Sequence, residues 1–137
     1  MSEKITVNWL DGMAFEAEVN QHILIMDAHE GVGGKDRGPR PKPLLLASLA
    51  GCTGMDVVSI LDKMRVQTKG FRIDIEANLS EEHPKVYTDI RLIYIFSGND
   101  LPFDKLQKAV ELSQEKYCGV SAMLKQSAKL EYEIRVE

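Results

Sequence analysis

An almost uncharged run of 19 residues, Pro43 to Leu61, constrains this sequence more than any other feature. Asp56 is its single charged residue, and after Asp62 and Lys63 the apolar Met64 follows. A carboxylate in lipid costs roughly 2.5 to 3.5 kcal/mol even on permissive insertion scales, so we interpret the run as a buried core helix rather than a membrane span. Proline suits the first turn of a helix because its missing N–H would be unpaired there. We therefore predict a long helix from Pro43 to about Met64.

Apolar residues lie on every side of this predicted helix. They do not form one stripe: Leu45, Leu49, Cys52, Val57, Ile60 and Met64 lie on one side, and Leu44, Leu46, Val58 and Leu61 on the other. Such a helix needs cover all round. The strands of this sequence alternate apolar and polar residues and so cover one face each. One chain does not supply enough cover, and we predict a homodimer.

Length and composition narrow the class of protein. The 137 residues predict a single domain spanning residues 1–137. Hydrophobic residues make up 44% and charged residues 28%, which is typical of globular proteins. The net charge is −4 and no block of five basic residues occurs, so nucleic acid is not an expected partner. The N-terminus shows no signal-peptide pattern, so we expect a cytoplasmic protein without a membrane partner.

Periodicity and turn residues predict the remaining elements. Two strands form a hairpin around Asp11-Gly12, and a third follows from His22 to Met26. Glycine and proline make residues Gly31 to Pro43 a loop. The later elements are strands at Phe71–Leu79 and Val86–Phe96, a helix from about Asn99 to Tyr117, a short helix Val120–Gln126 and a strand Leu130–Val136. This order predicts an α+β fold with antiparallel sheets around the long helix.

Neither a metal site nor a cofactor site is predicted. The three histidines, His22, His29 and His83, lack the spacing that would place two on one helix face. The segment Gly31 to Asp36 fails the phosphate-loop pattern, which would need Gly at His29 and a hydroxyl residue at Asp36. These residues are interpreted as surface histidines and a plain loop.

The two cysteines, Cys52 and Cys118, are the candidate reactive groups. They lack Cys-x-x-Cys or zinc spacing, so each is either a structural residue or a redox-active one. Ser48 and Asp56 lie one helical turn from Cys52 on either side, where a hydroxyl would favour a thiolate and a carboxylate would oppose it. Cys118 lies at a helix break, where backbone N–H groups can lower a thiol pKa.

A basic stretch of loop precedes the long helix. Its four cations are Lys35, Arg37, Arg40 and Lys42. They are either solvated surface charges or, at the helix N-terminus, a group that favours an anion or a thiolate.

Two segments together resemble the osmotically inducible protein C (OsmC) family, and its OsmC-like branch in particular. The first runs from Gly38-Pro39-Arg40-Pro41 through Leu44–Thr53 to Asp56–Met64, and the second is Tyr117-Cys118-Gly119-Val120-Ser121. The resemblance covers essentially the whole chain. It implies an α+β fold in which an intertwined homodimer forms active sites at the subunit interface.

The resemblance also implies an activity, because members of that family reduce organic hydroperoxides with a pair of cysteines in defence against oxidative stress. Cys52 would be the peroxidatic thiolate that attacks the terminal peroxide oxygen and becomes a sulfenic acid. Cys118 would resolve the sulfenic acid as a disulfide, which a dithiol then reduces. No cofactor is implied.

The sequence departs from the family's peroxidases at two positions. The peroxidases of the family place a Glu in the first turn before the cysteine helix, and this Glu pairs with an Arg from the N-terminal strands. Here that turn reads Pro41-Lys42-Pro43, and no Arg precedes Arg37. Arg37, Arg40 or Lys42 are the candidate substitutes. Two hypotheses follow: a hydroperoxide reductase acting on apolar substrates, or a non-catalytic protein that binds a small apolar or anionic ligand at the dimer interface.

Overall fold

The structure is a computed structural model that describes all residues from Met1 to Glu137. Its strands are β1 (Thr6–Asp11), β2 (Ala14–Val19), β3 (His22–Met26), β4 (Gly70–Leu79), β5 (Tyr87–Ser97) and β6 (Lys129–Val136), and its helices are α1 (Pro41–Lys63), α2 (Phe103–Leu112) and α3 (Gly119–Leu124). The chain divides into an N-terminal unit, Met1–Leu46, and a C-terminal unit, Ala47–Glu137. The single domain expected from the length stays a prediction.

The N-terminal unit contains a three-stranded antiparallel sheet in the order β1-β2-β3. Asp11 pairs with Ala14, so the first turn is Gly12–Met13, one residue later than predicted, and Gly12 takes the positive φ of +53° that this turn requires. At the second turn Asn20 and Gln21 both have positive φ, as in two-residue hairpins whose twist matches that of the strands. The predicted three-stranded meander is confirmed.

The loop before α1 is shorter than predicted. A 3-10 turn occupies Glu30–Val32, and α1 begins at Pro41 rather than at Pro43. Both prolines fit the first helical turn, because the first N–H groups of a helix have no intrahelical partner. The helix therefore takes in residues that composition alone assigned to the loop.

The C-terminal unit contains the second sheet, in the order β4-β5-β6. Strands β4 and β5 pair antiparallel, whereas β6 runs parallel to β5, so the expectation of antiparallel sheets is wrong for this pair. The chain between them contains α2 and α3, and such a helical crossover allows parallel pairing. Strand β5 is central and continuously buried from Leu92 to Phe96. The α+β class and the predicted order of the main elements are confirmed.

Helix α1 is buried along one stripe and not on every side. Its buried residues recur at every fourth position, at Leu49, Thr53, Val57 and Leu61. Met55 and Val58 are 76% and 57% exposed. By length and composition α1 could also cross a membrane, and 22% of its most apolar window is buried within the chain. Within one chain, much of its apolar surface is uncovered.

The predicted helix from about Asn99 to Tyr117 consists of two parts. Regular α2 ends at Leu112, and a wider π-helical turn follows at Ser113–Tyr117. The turn closes with a hydrogen bond of 2.7 Å from Cys118 N to Ser113 O, five residues back. Leu106, Val110 and Ser113 are buried as the amphipathic pattern predicts, but the flanking aromatic residues Phe103 and Tyr117 are about half exposed.

Candidate active site

Three potential reactive or metal-binding groups of the C-terminal unit converge at one point. Cys52 and Asp56 lie one turn apart on α1, and Cys118 follows the π-helical turn. The two sulfur atoms and a carboxylate oxygen all lie within 4.8 Å of one another. Both cysteines are free thiols. The predicted approach of Cys52 to Cys118 is confirmed, while their redox roles stay a prediction.

Cys118 is the more enclosed of the two thiols. It is 3% exposed and caps α3, where its Sγ accepts a hydrogen bond of 3.3 Å from Ser121 N. Burial, and to a smaller extent the neighbouring Cys52, raise the pKa of the Cys118 thiol to about 11, although the hydrogen bond from the Ser121 N–H acts to lower it. Cys118 is therefore a protonated thiol at neutral pH.

Cys52 is only partly buried, and of its two predicted polar neighbours, Ser48 and Asp56, Asp56 is the one that lies beside its sulfur. Ser48 is exposed and forms no hydrogen bond with it. Asp56 lies beside both sulfurs and accepts a hydrogen bond of 2.9 Å from Ser113 Oγ to its Oδ2. Of the two residues one helical turn from Cys52, Asp56 therefore contributes to the surroundings of the two thiols, and Ser48 does not.

A buried polar network continues from Asp56 into the core. Thr53 is fully buried on α1, and its Oγ1 lies 2.7 Å from both Ser113 Oγ and Tyr94 OH. Gln114 Nε2 donates to Tyr94 OH at 2.7 Å. Burial raises the pKa of Tyr94 to about 12, although its hydrogen bonds with Thr53 and Gln114 act to lower it. Tyr94 is therefore a neutral phenol that serves as a hydrogen-bonding centre.

The network returns to the helix that Cys118 caps. Ser121 Oγ donates to Gln114 Oε1 at 2.6 Å, and Lys125 Nζ donates to Gln114 O at 2.7 Å. The residue after Cys52 and the residue whose N–H contacts Cys118 thus belong to one hydrogen-bonded set. This set fixes the elements that carry the two thiols relative to each other.

This network was not predicted from the sequence. One signal was available: Ser113 falls on the apolar face of α2 and its extension, where a buried hydroxyl needs a partner. Its partners Thr53 and Tyr94 are distant in sequence, and single polar residues in apolar segments do not identify each other.

The basic residues predicted as electrostatic support lie in the N-terminal unit and have carboxylate partners there. Arg37 donates to both Asp11 oxygens, at 2.7 and 3.1 Å, and its Nε donates to Asp27 Oδ2 at 3.1 Å. These two carboxylates raise the pKa of Arg37. Arg40 donates to Asp36 Oδ1 at 2.6 Å. Arg37 is already neutralised by two acids, and the support role of both arginines stays a prediction, as does that of exposed Lys42.

An apolar cavity of about 420 Å³ lies in the N-terminal unit. Its wall is built mainly from apolar side chains, including Val7, Met13, Phe15 and Met26. His29 and Arg40 supply the polar edge. The cavity can hold a small apolar group next to one guanidinium.

Comparison with known proteins decides the family. Residues 33–133 match the family described as OsmC-like protein. The chain belongs to the OsmC-like protein family. The resemblance seen in the sequence is thereby confirmed, and the match includes the helix of Cys52 as well as the segment around Cys118.

Relatives of this OsmC-like protein match over nearly their whole length. Protein YhfA of Escherichia coli strain K12 is 34% identical over 131 residues, which cover 95% of each chain. The crystal structure of a hypothetical protein from Aquifex aeolicus VF5 has a TM-score of 0.83 and 31% identity, with 100% of this chain and 98% of that chain covered. The fold of this OsmC-like protein is therefore shared from end to end.

A more distant structural neighbour carries a functional name. The structure of an organic hydroperoxide resistance protein OsmC from Legionella pneumophila, also called a predicted redox protein, has a TM-score of 0.69 and 14% identity. The structural match covers 100% of this chain and 97% of the Legionella pneumophila chain. At this identity the likeness concerns the fold. Family membership and the two adjacent cysteines are compatible with a redox role.

Proposed function

We propose that this OsmC-like protein reduces organic hydroperoxides through Cys52 and Cys118. The observation that carries the proposal is the distance of at most 4.8 Å between the two sulfurs. They are the only cysteines of the chain, and they come from segments far apart in sequence. A peroxidatic thiol and a resolving thiol need this proximity, because their condensation forms a disulfide bond.

The difference in burial supports distinct roles for the two thiols. Cys52 is partly exposed, so it is the thiol that a hydroperoxide reaches, whereas Cys118 is 3% exposed. In the first step the Cys52 sulfur attacks the terminal peroxide oxygen, the O–O bond breaks, and the products are a sulfenic acid and an alcohol. The leaving alkoxide takes up the proton lost by the thiol.

The second step regenerates the enzyme. The Cys118 thiol attacks the sulfenic sulfur, which forms a Cys52–Cys118 disulfide and releases water. An external dithiol then reduces the disulfide, and its two thiols become a disulfide in turn. The cycle therefore consumes one dithiol for each hydroperoxide and needs no cofactor.

An apolar groove whose lining includes Gly51, the residue before Cys52, supports an apolar substrate and a second subunit. A groove of about 700 Å³ runs along α1 and β4, with Gly51, Met55, Val58 and Phe71 among its lining residues. This apolar surface, left open within one chain, supports the homodimer as well as an organic rather than an inorganic peroxide. We place the protein in the cytoplasm, where dithiol reductants keep thiols reduced.

Hydroperoxide consumption tests the proposal. The full chain with excess dithiothreitol should consume cumene hydroperoxide catalytically, and Cys52→Ser should abolish turnover. Ser127→Ala, at an exposed position outside the groove along α1 and β4, is the control and should retain wild-type activity. Absence of catalytic consumption by the wild type with either dithiothreitol or dihydrolipoamide would reject the peroxidase function.

The N-terminal cavity favours a second candidate function, binding of a small apolar or anionic ligand without catalysis. The cavity of about 420 Å³ has almost wholly apolar walls, and a carboxylate ligand would compete with Asp36 for Arg40, one of its lining residues. A fluorescent fatty acid should bind to the wild type and lose affinity in Arg40→Ala. Such binding together with absent turnover would favour this function, and absence of binding would reject it.

A further inference from the structure

We propose that Cys52, Cys118 and Asp56 form, in the reduced protein, a binding site for one zinc ion per chain. Their ligand atoms, two sulfurs and one carboxylate oxygen, all lie within 4.8 Å of one another. Thiolate and carboxylate are established zinc ligands, and the pair of sulfurs selects a thiophilic ion over magnesium or calcium. The proposal does not depend on hydroperoxide reduction.

The geometry is close to that of a tetrahedral site. Ligands at zinc distances of about 2.0 to 2.3 Å stand roughly 3.3 to 3.8 Å apart. The observed separations therefore require side-chain movements of about 1 Å or less. Cys52 and Asp56 are spaced i, i+4 and present their donors on one face of α1, while Cys118 supplies the third donor from another segment. The fourth position remains for water.

The local charge favours a cation. Asp56 forms no ion pair with any Lys or Arg, and its one polar contact is the Ser113 hydroxyl. Lys63 lines the same cavity of about 390 Å³ as Asp56 but is not paired with it. When zinc displaces the thiol protons, the two thiolates and the Asp56 carboxylate would repel one another. A divalent ion bound between them removes that repulsion.

Hydrogen bonds already orient two of the three donors. Ser113 donates to Asp56 Oδ2 at 2.9 Å and is itself held by Thr53 at 2.7 Å. Ser121 N donates to Cys118 Sγ at 3.3 Å. Outer hydrogen bonds of this kind fix the direction of metal ligands and contribute to affinity. The cavity of about 390 Å³ opens onto one of the three donor residues, Asp56.

Zinc binding and disulfide formation exclude each other, because both use the same two sulfurs. Binding to the two thiols forms two zinc–sulfur bonds and releases two protons. If the peroxidase proposal holds, a hydroperoxide oxidises the pair by two electrons: with two protons from solvent it becomes an alcohol and water, the sulfur–sulfur bond forms, and the ion is expelled. The site therefore makes zinc an inhibitor of the thiol pair and oxidation a trigger for zinc release.

Metal titration of the reduced full chain tests this site without any peroxide. Isothermal titration with Zn²⁺ should give one ion per chain, and Co²⁺ as a spectroscopic probe should show thiolate-to-metal charge transfer. Asp56→Asn and Cys52→Ser should each lower affinity by more than the roughly 10- to 100-fold typical of losing an outer-shell partner. Asp62→Asn, an exposed carboxylate on the same helix, is the matched control and should bind zinc like the wild type.

Because a ligand variant can fail to fold, the wild type supplies a second comparison. Protein alkylated at both thiols, with unchanged circular dichroism, should bind no zinc and give no charge-transfer band with cobalt. Equal binding by reduced and alkylated protein, fewer than one ion per chain, or unchanged affinity in folded Asp56→Asn would each overturn the proposal. None of these outcomes bears on peroxidase turnover, so the two proposals fail separately.

Discussion

Thr53 shows how a single buried hydroxyl organises the site. It occupies the position after Cys52, faces the core, and lies within hydrogen-bonding distance of Tyr94 and Ser113. A valine at this position would have a similar shape but no hydroxyl. Tyr94 and Ser113 would then stay buried, and each would lose one hydrogen bond. The residue therefore links the stability of the fold to the placement of the reactive thiol.

Thr53→Val should lower the free energy of unfolding by about 1 to 3 kcal/mol, because buried polar groups lose a partner. Urea denaturation followed by circular dichroism measures this change. Ser59→Ala, at an exposed position of the same helix, should change the free energy of unfolding far less. An equal effect of the two substitutions would show that the network does not stabilise the fold.

The two loop arginines make a separate prediction about rate. A peroxidatic thiol needs a cation to stabilise charge that develops on the leaving oxygen, and removal of such a group typically costs roughly a hundredfold or more. Arg37→Ala and Arg40→Ala should be compared with the wild type in steady-state cumene hydroperoxide consumption. We expect a large loss of activity in at least one variant, and unchanged turnover in both would eliminate them as substitutes for the missing strand arginine.

At the scale of elements, the sequence predicts well whatever depends on local periodicity. The alternating strands, the long apolar helix and the break at Cys118-Gly119 follow from residues adjacent in the chain. The parallel pairing of β5 with β6 does not, because direction depends on the crossover between them. The partners of Thr53 and Asp56 are likewise set by tertiary packing. Family resemblance, rather than periodicity, is what paired Cys52 with Cys118.

The segment before α1 is ordered by one acidic residue. Asp27 is fully buried, and its carboxylate accepts hydrogen bonds from the backbone N–H groups of Ala28, Lys35 and Arg37 and from the Arg37 side chain. Burial alone would raise the pKa of Asp27, but these hydrogen bonds outweigh it and lower the pKa to about 2. The charged form of Asp27 thus stabilises the folded loop.

Low pH should destabilise the loop whose backbone N–H groups Asp27 binds. Because the pKa of Asp27 falls from 3.8 to about 2 on folding, its contribution is complete above about pH 4 and is lost as pH falls toward 2. The free energy of unfolding should therefore decrease more steeply over this range in the wild type than in Asp27→Asn. Urea denaturation at several acidic pH values measures the slopes. Asp62→Asn removes an exposed carboxylate and is the control, which should keep the wild-type slope. Identical slopes in the wild type and Asp27→Asn would contradict the stabilising role of Asp27.

At the scale of the whole molecule, the uncovered face of α1 predicts a homodimer. Met55 and Val58 are largely exposed on a helix whose composition is that of a core element. Light scattering after size exclusion should give twice the chain mass of 15.4 kDa. Val58→Asp should yield monomers, whereas Val86→Asp, at an exposed loop position, should not. A wild-type monomer at micromolar concentration would contradict the prediction.

The central claim is that Cys52 and Cys118 act as one redox pair, and non-reducing peptide mapping by mass spectrometry tests it most directly. The reduced protein is freed of metal with a chelator and treated with one equivalent of cumene hydroperoxide. We expect a Cys52–Cys118 crosslink within one chain, restored to two thiols by dithiothreitol, and sulfenic acid at Cys52 in Cys118→Ser. Free thiols at both positions, or only sulfinic acid at Cys52 of the wild type, would contradict it.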